Sequence, residues 1–264
     1  MLLKGRNAIV YGAGGALGGA AARAFAREGA RVFLAGRTRA RLDEVAQAIR
    51  SRGGVADVAE LDALDERAVR THAERVDAEG GIDVALNAIG LAHVQGVPFL
   101  DLSYAQFAAP IEGYLRTHFV TAQAVARHMA NRRRGVLLTI STPGARLSGP
   151  GFLGYGVTCA AVEAFSRILA GELGQYGVRV VCLRTDAIPE ALATSHVRGV
   201  FEGIAARAGT DVDAMVAARA TSGTLLGRFP RLDEFADFAA FVASERAGAM
   251  TGAIANLTCG SIVD

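Results

Sequence analysis

Residues 8–18 read Ala8-Ile9-Val10-Tyr11-Gly12-Ala13-Gly14-Gly15-Ala16-Leu17-Gly18. A short apolar run ends in a glycine cluster, and an alanine-rich helical pattern follows to Arg27. The order is strand, tight turn, helix N-terminus. Such a corner presents backbone N–H groups and the positive end of a helix dipole to an anion. Gly12 lets the chain turn and Gly18 lets the helix close on the strand. Ala16 stands where a middle glycine is usual, so the strict Gly-x-Gly-x-x-Gly spacing is absent. Taken alone, the turn fits an ordinary βα connection as well as a phosphate cradle. Its place on the first strand of an alternating chain favours the cradle, with Gly12, Gly14, Gly15, Leu17 and Gly18 lining it.

Outward from this turn the chain keeps alternating. Strands are predicted at 7–11, 31–35, 55–61, 82–86, 135–140, 178–183 and 253–257. Helical patterns lie between them at 16–28, 39–50, 65–77, 104–131 and 154–175, with one more at 232–244. Short buried strands joined by amphipathic helices imply a parallel sheet with right-handed crossovers. Residues 141–152, rich in Gly, Pro and Ser, read as an active-site loop at a strand's C-terminal end. Residues 186–230 have helical patterning without a strand and are expected to form a mobile lid.

The 264 residues include 32 glycines and are 51% hydrophobic, which favours one well-buried α/β domain over the whole length. The charge is 28 − 26 = +2, so there is no electrostatic case for nucleic acid or a membrane. Arg132-Arg133-Arg134 sits at a helix end, where cations suit the dipole. The opening residues lack a secretory-signal pattern, and the apolar runs are of strand length. Cys159, Cys182 and Cys259 have no metal or redox spacing, and a cytoplasmic location is expected.

Together these features resemble the short-chain dehydrogenase/reductase family over nearly the whole chain. The family opening Thr-Gly-x-x-x-Gly-x-Gly stands here as Tyr11 through Gly18, and its Asn-Asn-Ala-Gly as Asn87-Ala88-Ile89-Gly90. Residues 125–129, 154–176 and Leu226-Gly227-Arg228 also look like family segments. The resemblance implies a Rossmann-like, doubly wound, three-layer fold of about seven strands. It implies a dinucleotide at the C-terminal strand ends, touching Asn87, Ala88 and Ile188. It also implies a homodimer or homotetramer formed through the two long helices.

The second strand ends Leu34-Ala35-Gly36-Arg37-Thr38-Arg39. A site preferring NAD(H) usually places a carboxylate here for the ribose 2′-OH. Neutral Gly36 followed by Arg37 suits a 2′-phosphate, with Thr38 and Arg39 able to add to it. NADP(H) is therefore expected over NAD(H); solvated arginines at a helix start are the plainer alternative. Asp62 matches the family's adenine-contacting acid or, equally, a helix cap before Asp65.

Family chemistry uses a tyrosine as proton carrier, a lysine four residues later, a serine on the preceding loop and an asparagine on the earlier helix. Tyr155 fits the tyrosine, and Thr142 takes the serine's place, with Ser141 adjacent. Cys159 holds the lysine position and Tyr114 the asparagine position. Cysteine supplies no positive charge, and an unperturbed tyrosine of pKa ~10 is only ~0.1% phenolate at neutral pH. Thr185-Asp186 replaces the family's Pro-Gly, Thr258-Cys259-Gly260 its Asp-Gly-Gly-like end, and Tyr11 its first threonine. His118, four residues after Tyr114, and Arg146, in the loop before Tyr155, are the substitutes within reach.

Two functions follow. One is a reductase or dehydrogenase acting on a carbonyl or alcohol, with Tyr155 and Thr142 in a rewired relay. Phe201, Ile204, Met215 and Leu225 in the lid suggest an apolar substrate, or simply pack the lid. The other is a nucleotide-binding pseudoenzyme or partner subunit that kept the fold and lost the chemistry. A dehydratase or isomerase on the same site is a third. Fold alone does not choose among them.

Overall fold

The computed structural model describes residues 1–192, 195 and 197–264. The described residues form one seven-stranded sheet: β1 Asn7–Tyr11, β2 Arg31–Gly36, β3 Val55–Glu60, β4 Val84–Asn87, β5 Gly135–Ser141, β6 Val178–Thr185 and β7 Ile254–Leu257. The order is β3-β2-β1-β4-β5-β6-β7, and every pairing is parallel. The expected fold class is thus the observed one. β4 begins two residues later than the pattern suggests and β6 runs two residues further, the ordinary scatter of strand ends.

Alternation along each strand builds two cores. On β1, Ala8 and Val10 join one apolar cluster, and Ile9 and Tyr11 the other. β2 divides likewise, Val32 and Leu34 against Phe33 and Ala35. The first cluster takes Ala21 and Phe25 of α1 (Ala16–Arg27), Leu42 and Ile49 of α2 (Arg39–Arg50), and Phe235 and Ala239 of α9 (Leu232–Ala243). The second takes Val69 and Val76 of α3 (Glu66–Ala78), Val125 and Met129 of α4 (Tyr104–Asn131), and Ala170 of α5 (Leu153–Gly174). The sheet is therefore covered on both faces, as a parallel sheet requires.

Strand order reverses at β1, whose neighbours are β2 and β4. The crevice outside the C-terminal ends of β1 and β4 is the topological switch point where folds of this kind bind ligands. Three short helices, α6 Pro189–Leu192, α7 Val197–Arg207 and α8 Val212–Gly223, occupy the segment expected as a lid. Residues 193, 194 and 196 of that segment lie outside the described residues. Hydrogen bonds tie it down: Arg207 Nη1 donates to the Gln95 carbonyl (3.2 Å) and the Leu226 N–H to the Cys259 carbonyl (3.1 Å), and Arg219 Nη2 reaches back to Asp186 Oδ1 at the start of the segment (2.6 Å).

Candidate active site

The glycine turn has the geometry an anion cradle needs. Gly12 has φ +79°, and a Cβ there would lie 2.6 Å from the Ala88 carbonyl oxygen. A Cβ on Gly18 would overlap the Gly12 carbonyl, so α1 meets β1 at this distance only through glycine. The Gly12 N–H donates to Ala35 O (2.8 Å) and the Ala88 N–H to Tyr11 O (2.9 Å), fixing the mouth of the crevice. Helix α1 has no side-chain cap and no acidic residue in its first turn, so its N-terminal field is left for a ligand anion. The backbone here fits a dinucleotide pyrophosphate.

Asn87 is buried and holds the next turn by donating Nδ2–H to Thr121 Oγ1 (3.0 Å) and accepting from the Ile89 N–H (3.1 Å). Ile188 is buried just past β6. Arg37 and Thr38 are exposed at the end of β2, and Arg37 has no ion-pair partner among the described residues. Arg39 is spent on Asp43, its Nε donating to both carboxylate oxygens at 3.0 Å. Arg41, which the sequence reading passed over, lies closer to the turn, its Cβ 3.1 Å from where a Cβ on Gly14 would stand. Asp62 does not cap α3. Asp65 does so, accepting from the N–H groups of Arg67 and Ala68, while Asp62 closes a local turn with the Leu64 N–H (3.0 Å).

At the C-terminal end of β5, Thr142 caps the short turn Pro143–Ala145, and its Oγ1 accepts from the Gly144 N–H (3.3 Å). The same Oγ1 lies 3.2 Å from Cys159 Sγ. Tyr155 and Cys159 stand one helical turn apart on α5, and Gly144 faces all three side chains: a Cβ there would lie 3.2 Å from Thr142 Oγ1 and 3.8 Å from both Cys159 Sγ and Tyr155 Cδ1. The fold thus brings together Thr142, Tyr155 and Cys159. Burial holds the Tyr155 phenol well above its usual pKa, and the neighbouring Cys159 and Tyr114 push the same way. Burial also raises the Cys159 thiol, which suits an inert thiol and not a nucleophile.

Tyr114 does not offer its hydroxyl to this group. That hydroxyl accepts from the Leu91 N–H (3.0 Å) and donates to the Leu91 carbonyl (3.3 Å), and burial raises its pKa to about 12. Its carbonyl accepts from Thr117 Oγ1 (2.9 Å) and from His118 Nδ1 (2.8 Å). His118 is buried in the helix with its pKa pushed down to about 4 by burial, so it is a neutral structural imidazole. Arg146 is engaged by Asp264 (2.7 Å).

One charged feature was missed in the sequence. Arg184 on β6 is buried and makes a two-point ion pair with Glu163 on α5, Nε to Oε1 at 2.7 Å and Nη2 to Oε2 at 2.8 Å. Ser141 Oγ donates to the same Glu163 Oε1 (2.9 Å). Glu163 follows Cys159 by one turn, so an ion pair lies behind the tyrosine. Its charge is balanced and gives the phenol no net cation. Lys4, the only lysine in the chain, precedes β1 at the opposite end of the sheet. Asp186, read in the sequence only as half of the Thr185-Asp186 replacement, has a buried Oδ2 with no hydrogen-bond partner among the described residues, and its Oδ1 accepts from Arg219.

A family model described as enoyl-(acyl carrier protein) reductase matches residues 12–261. The chain belongs to the short-chain dehydrogenase/reductase family. It is 30% identical to an L-rhamnose 1-dehydrogenase (NAD(P)(+)) of Azotobacter vinelandii, over 96% of this chain and 95% of the relative. It is 31% identical to the short-chain reductase protein NovJ of Streptomyces niveus, over 93% of this chain and 89% of the relative. An NAD+-bound xylitol dehydrogenase superimposes with a TM-score of 0.88 at 23% identity, over 98% of this chain and all of that one; at this identity the likeness concerns the fold. Short-chain dehydrogenases and reductases are oxidoreductases with nicotinamide cofactors, and this chain is of that type. No helix among the described residues is long and apolar enough to cross a membrane.

Proposed function

We propose that this family member is an NADP(H)-dependent oxidoreductase acting on the carbonyl or alcohol of a small apolar substrate. The meeting of Thr142 and Tyr155 at Gly144, on the loop and helix after β5, carries this reading. The two side chains stand together beside Gly144, and they do so although Cys159 has replaced the lysine. The bound cofactor supplies the hydride. Tyr155 donates its proton to the substrate oxygen as a neutral phenol, and Thr142 orients that oxygen by hydrogen bonding. Without a cation to stabilise a phenolate, turnover is slow, by ~10²–10⁴, the usual worth of acid–base assistance.

The preference for NADP(H) rests on Arg37, exposed after neutral Gly36, where no carboxylate ends β2. Gly12, Gly14, Gly15, Leu17 and Gly18 hold the pyrophosphate, with Arg37 and Thr38 at the 2′-phosphate and Asp62 at the adenine. Asn87, Ala88 and Ile188 line the nicotinamide side. The substrate class rests on Phe201, Ile204 and Met215 of the half-buried lid helices and on exposed Leu225. Phe119 and Ile168, 52% and 67% exposed on α4 and α5, support assembly as a homo-oligomer through those helices. The three unpaired thiols accord with a cytoplasmic location.

A second reading is a binding-competent pseudoenzyme or partner subunit. The upward shift of the Tyr155 phenol favours it. Dissociation constants for NADPH and NADH, followed by NADPH oxidation across ketones, aldehydes and enones, separate the two. Tighter NADPH binding with turnover supports the oxidoreductase. Binding without oxidation supports the pseudoenzyme. Equal or tighter NADH binding overturns the cofactor assignment.

A further inference from the structure

His93 lies in the loop after β4. Its imidazole stacks on the Tyr155 phenol with ring centroids 4.2 Å apart and planes 7° from parallel. The edge of Tyr114 closes on both rings, at 6.1 Å from His93 and 6.2 Å from Tyr155. His93 Nδ1 lies 2.8 Å from the Leu91 carbonyl, which only accepts, so Nδ1 carries the hydrogen. Nε2 then accepts from the Gln95 amide at 2.8 Å. Gln95 is buried, and its carbonyl receives Arg207 from the lid (3.2 Å). The next residue, Gly96, donates its N–H to Gly151 O (2.8 Å), joining this loop to the one that precedes Tyr155. Leu91 is itself held at both backbone groups by the Tyr114 hydroxyl. The imidazole is therefore fixed from α4, from its own loop and from the lid. Gly144 lies against the same phenol, for a Cβ placed there would meet Tyr155 Cδ1 at 3.8 Å.

We propose that His93 is a positioning residue that fixes the plane of the Tyr155 phenol, so that its hydroxyl stays aimed at the substrate oxygen. A tyrosine oxygen lies on the Cβ–Cγ axis, so a turn of the ring about that bond leaves the oxygen in place but swings the O–H, which conjugation keeps in the ring plane. The stacked imidazole holds the ring against that turn. Tyr114, standing at the asparagine position, serves the same end by anchoring Leu91, the acceptor of His93 Nδ1. The inference rests on the reading of Tyr155 as the proton donor.

The test compares the wild-type chain with His93→Ala and His93→Phe, using isotope-labelled tyrosine and NMR. With five tyrosines in the chain, Tyr155→Phe assigns the Tyr155 signals. In the wild type these signals should be ring-current shifted and show a slowly flipping ring. His93→Ala should return them toward free-tyrosine positions with fast flipping, and His93→Phe should restore the wild-type pattern. In NADPH-dependent reduction of butane-2,3-dione, His93→Ala should lower kcat by up to roughly a hundredfold at similar KM, as misplacement of a reacting group does. His93→Phe should recover most of it. Unchanged Tyr155 signals in His93→Ala, or a His93→Phe chain that behaves like His93→Ala, overturn the proposal. Ring signals that change in His93→Ala while the wild type oxidises NADPH with none of the ketones, aldehydes and enones keep the positioning role and overturn the oxidoreductase reading instead.

Discussion

The hydroxyl of Thr142 and the thiol of Cys159 lie 3.2 Å apart beside the Tyr155 phenol. The family pairs a hydroxyl with an ammonium at this place. Here a neutral thiol fills the lysine position, and its own pKa is raised by burial. Cys159→Lys should therefore raise NADPH-dependent turnover by roughly 10–10²-fold, part of the usual worth of acid–base assistance. Steady-state kinetics check this. Unchanged turnover in a folded variant means that the relay is not limited by the missing cation.

Arg37→Ala should weaken NADPH binding by about tenfold or more, the value of a charge-assisted hydrogen bond to phosphate, and leave NADH binding nearly unchanged. Arg41→Ala should have a smaller effect of the same sign, since Arg41 borders the turn at Gly14. Fluorescence titration with each nucleotide measures both. Equal losses for NADPH and NADH contradict an Arg37 role at the 2′-phosphate.

The Arg184–Glu163 pair is buried, so breaking one side differs from removing both. Arg184→Met leaves the Glu163 carboxylate with only the Ser141 hydroxyl among its present partners. The cost should be about 3–5 kcal/mol, because a buried charge is left uncompensated. Arg184→Met with Glu163→Met should recover most of that loss. Urea denaturation of the two single variants and the double variant gives the cycle.

The fold was legible in the sequence because it is written in local periods. The glycine turn at 12–18 and the alternation of short strands with helices give the parallel sheet, and the structure keeps each element to within a few residues. Thr142, Tyr155 and Cys159 were legible because they lie within 18 residues of one another, on a loop and the helix after it. His93 was not, for its partner Tyr155 is 62 residues away and stacking leaves no periodic trace. The same holds for Glu163 with Arg184 and for Asp186 with Arg219, pairs made by strand register and by lid docking. A lone buried charge in the sequence does not announce its partner. Asp62 and Asp65 show the local limit: both precede α3 and suit its cap, and backbone geometry gives that role to Asp65.

Acid sensitivity should come partly from two buried imidazoles. His72 and His118 both have pKa values pushed down to about 4 by burial, against about 6.5 in an unfolded chain. Between those values the unfolded state binds more protons, so stability falls as pH drops from about 6.5 to 4 and then levels off. Neither ring nitrogen of His72 has a hydrogen-bond partner among the described residues. His72→Leu should therefore flatten part of this slope and make the protein more stable than wild type at pH 5. Thermal melts across pH 4–7 check it; an unchanged slope contradicts the assignment.

The central claim is that the Tyr155 hydroxyl, without a lysine beneath it, still hands a proton to the substrate oxygen. The direct measurement is NADPH oxidation over ketones, aldehydes and enones by the wild type and by Tyr155→Phe, with NADPH affinity measured in parallel. Expected are slow turnover in the wild type, its loss by ~10²-fold or more in Tyr155→Phe, and an unchanged dissociation constant. Equal turnover in the two chains would contradict the claim.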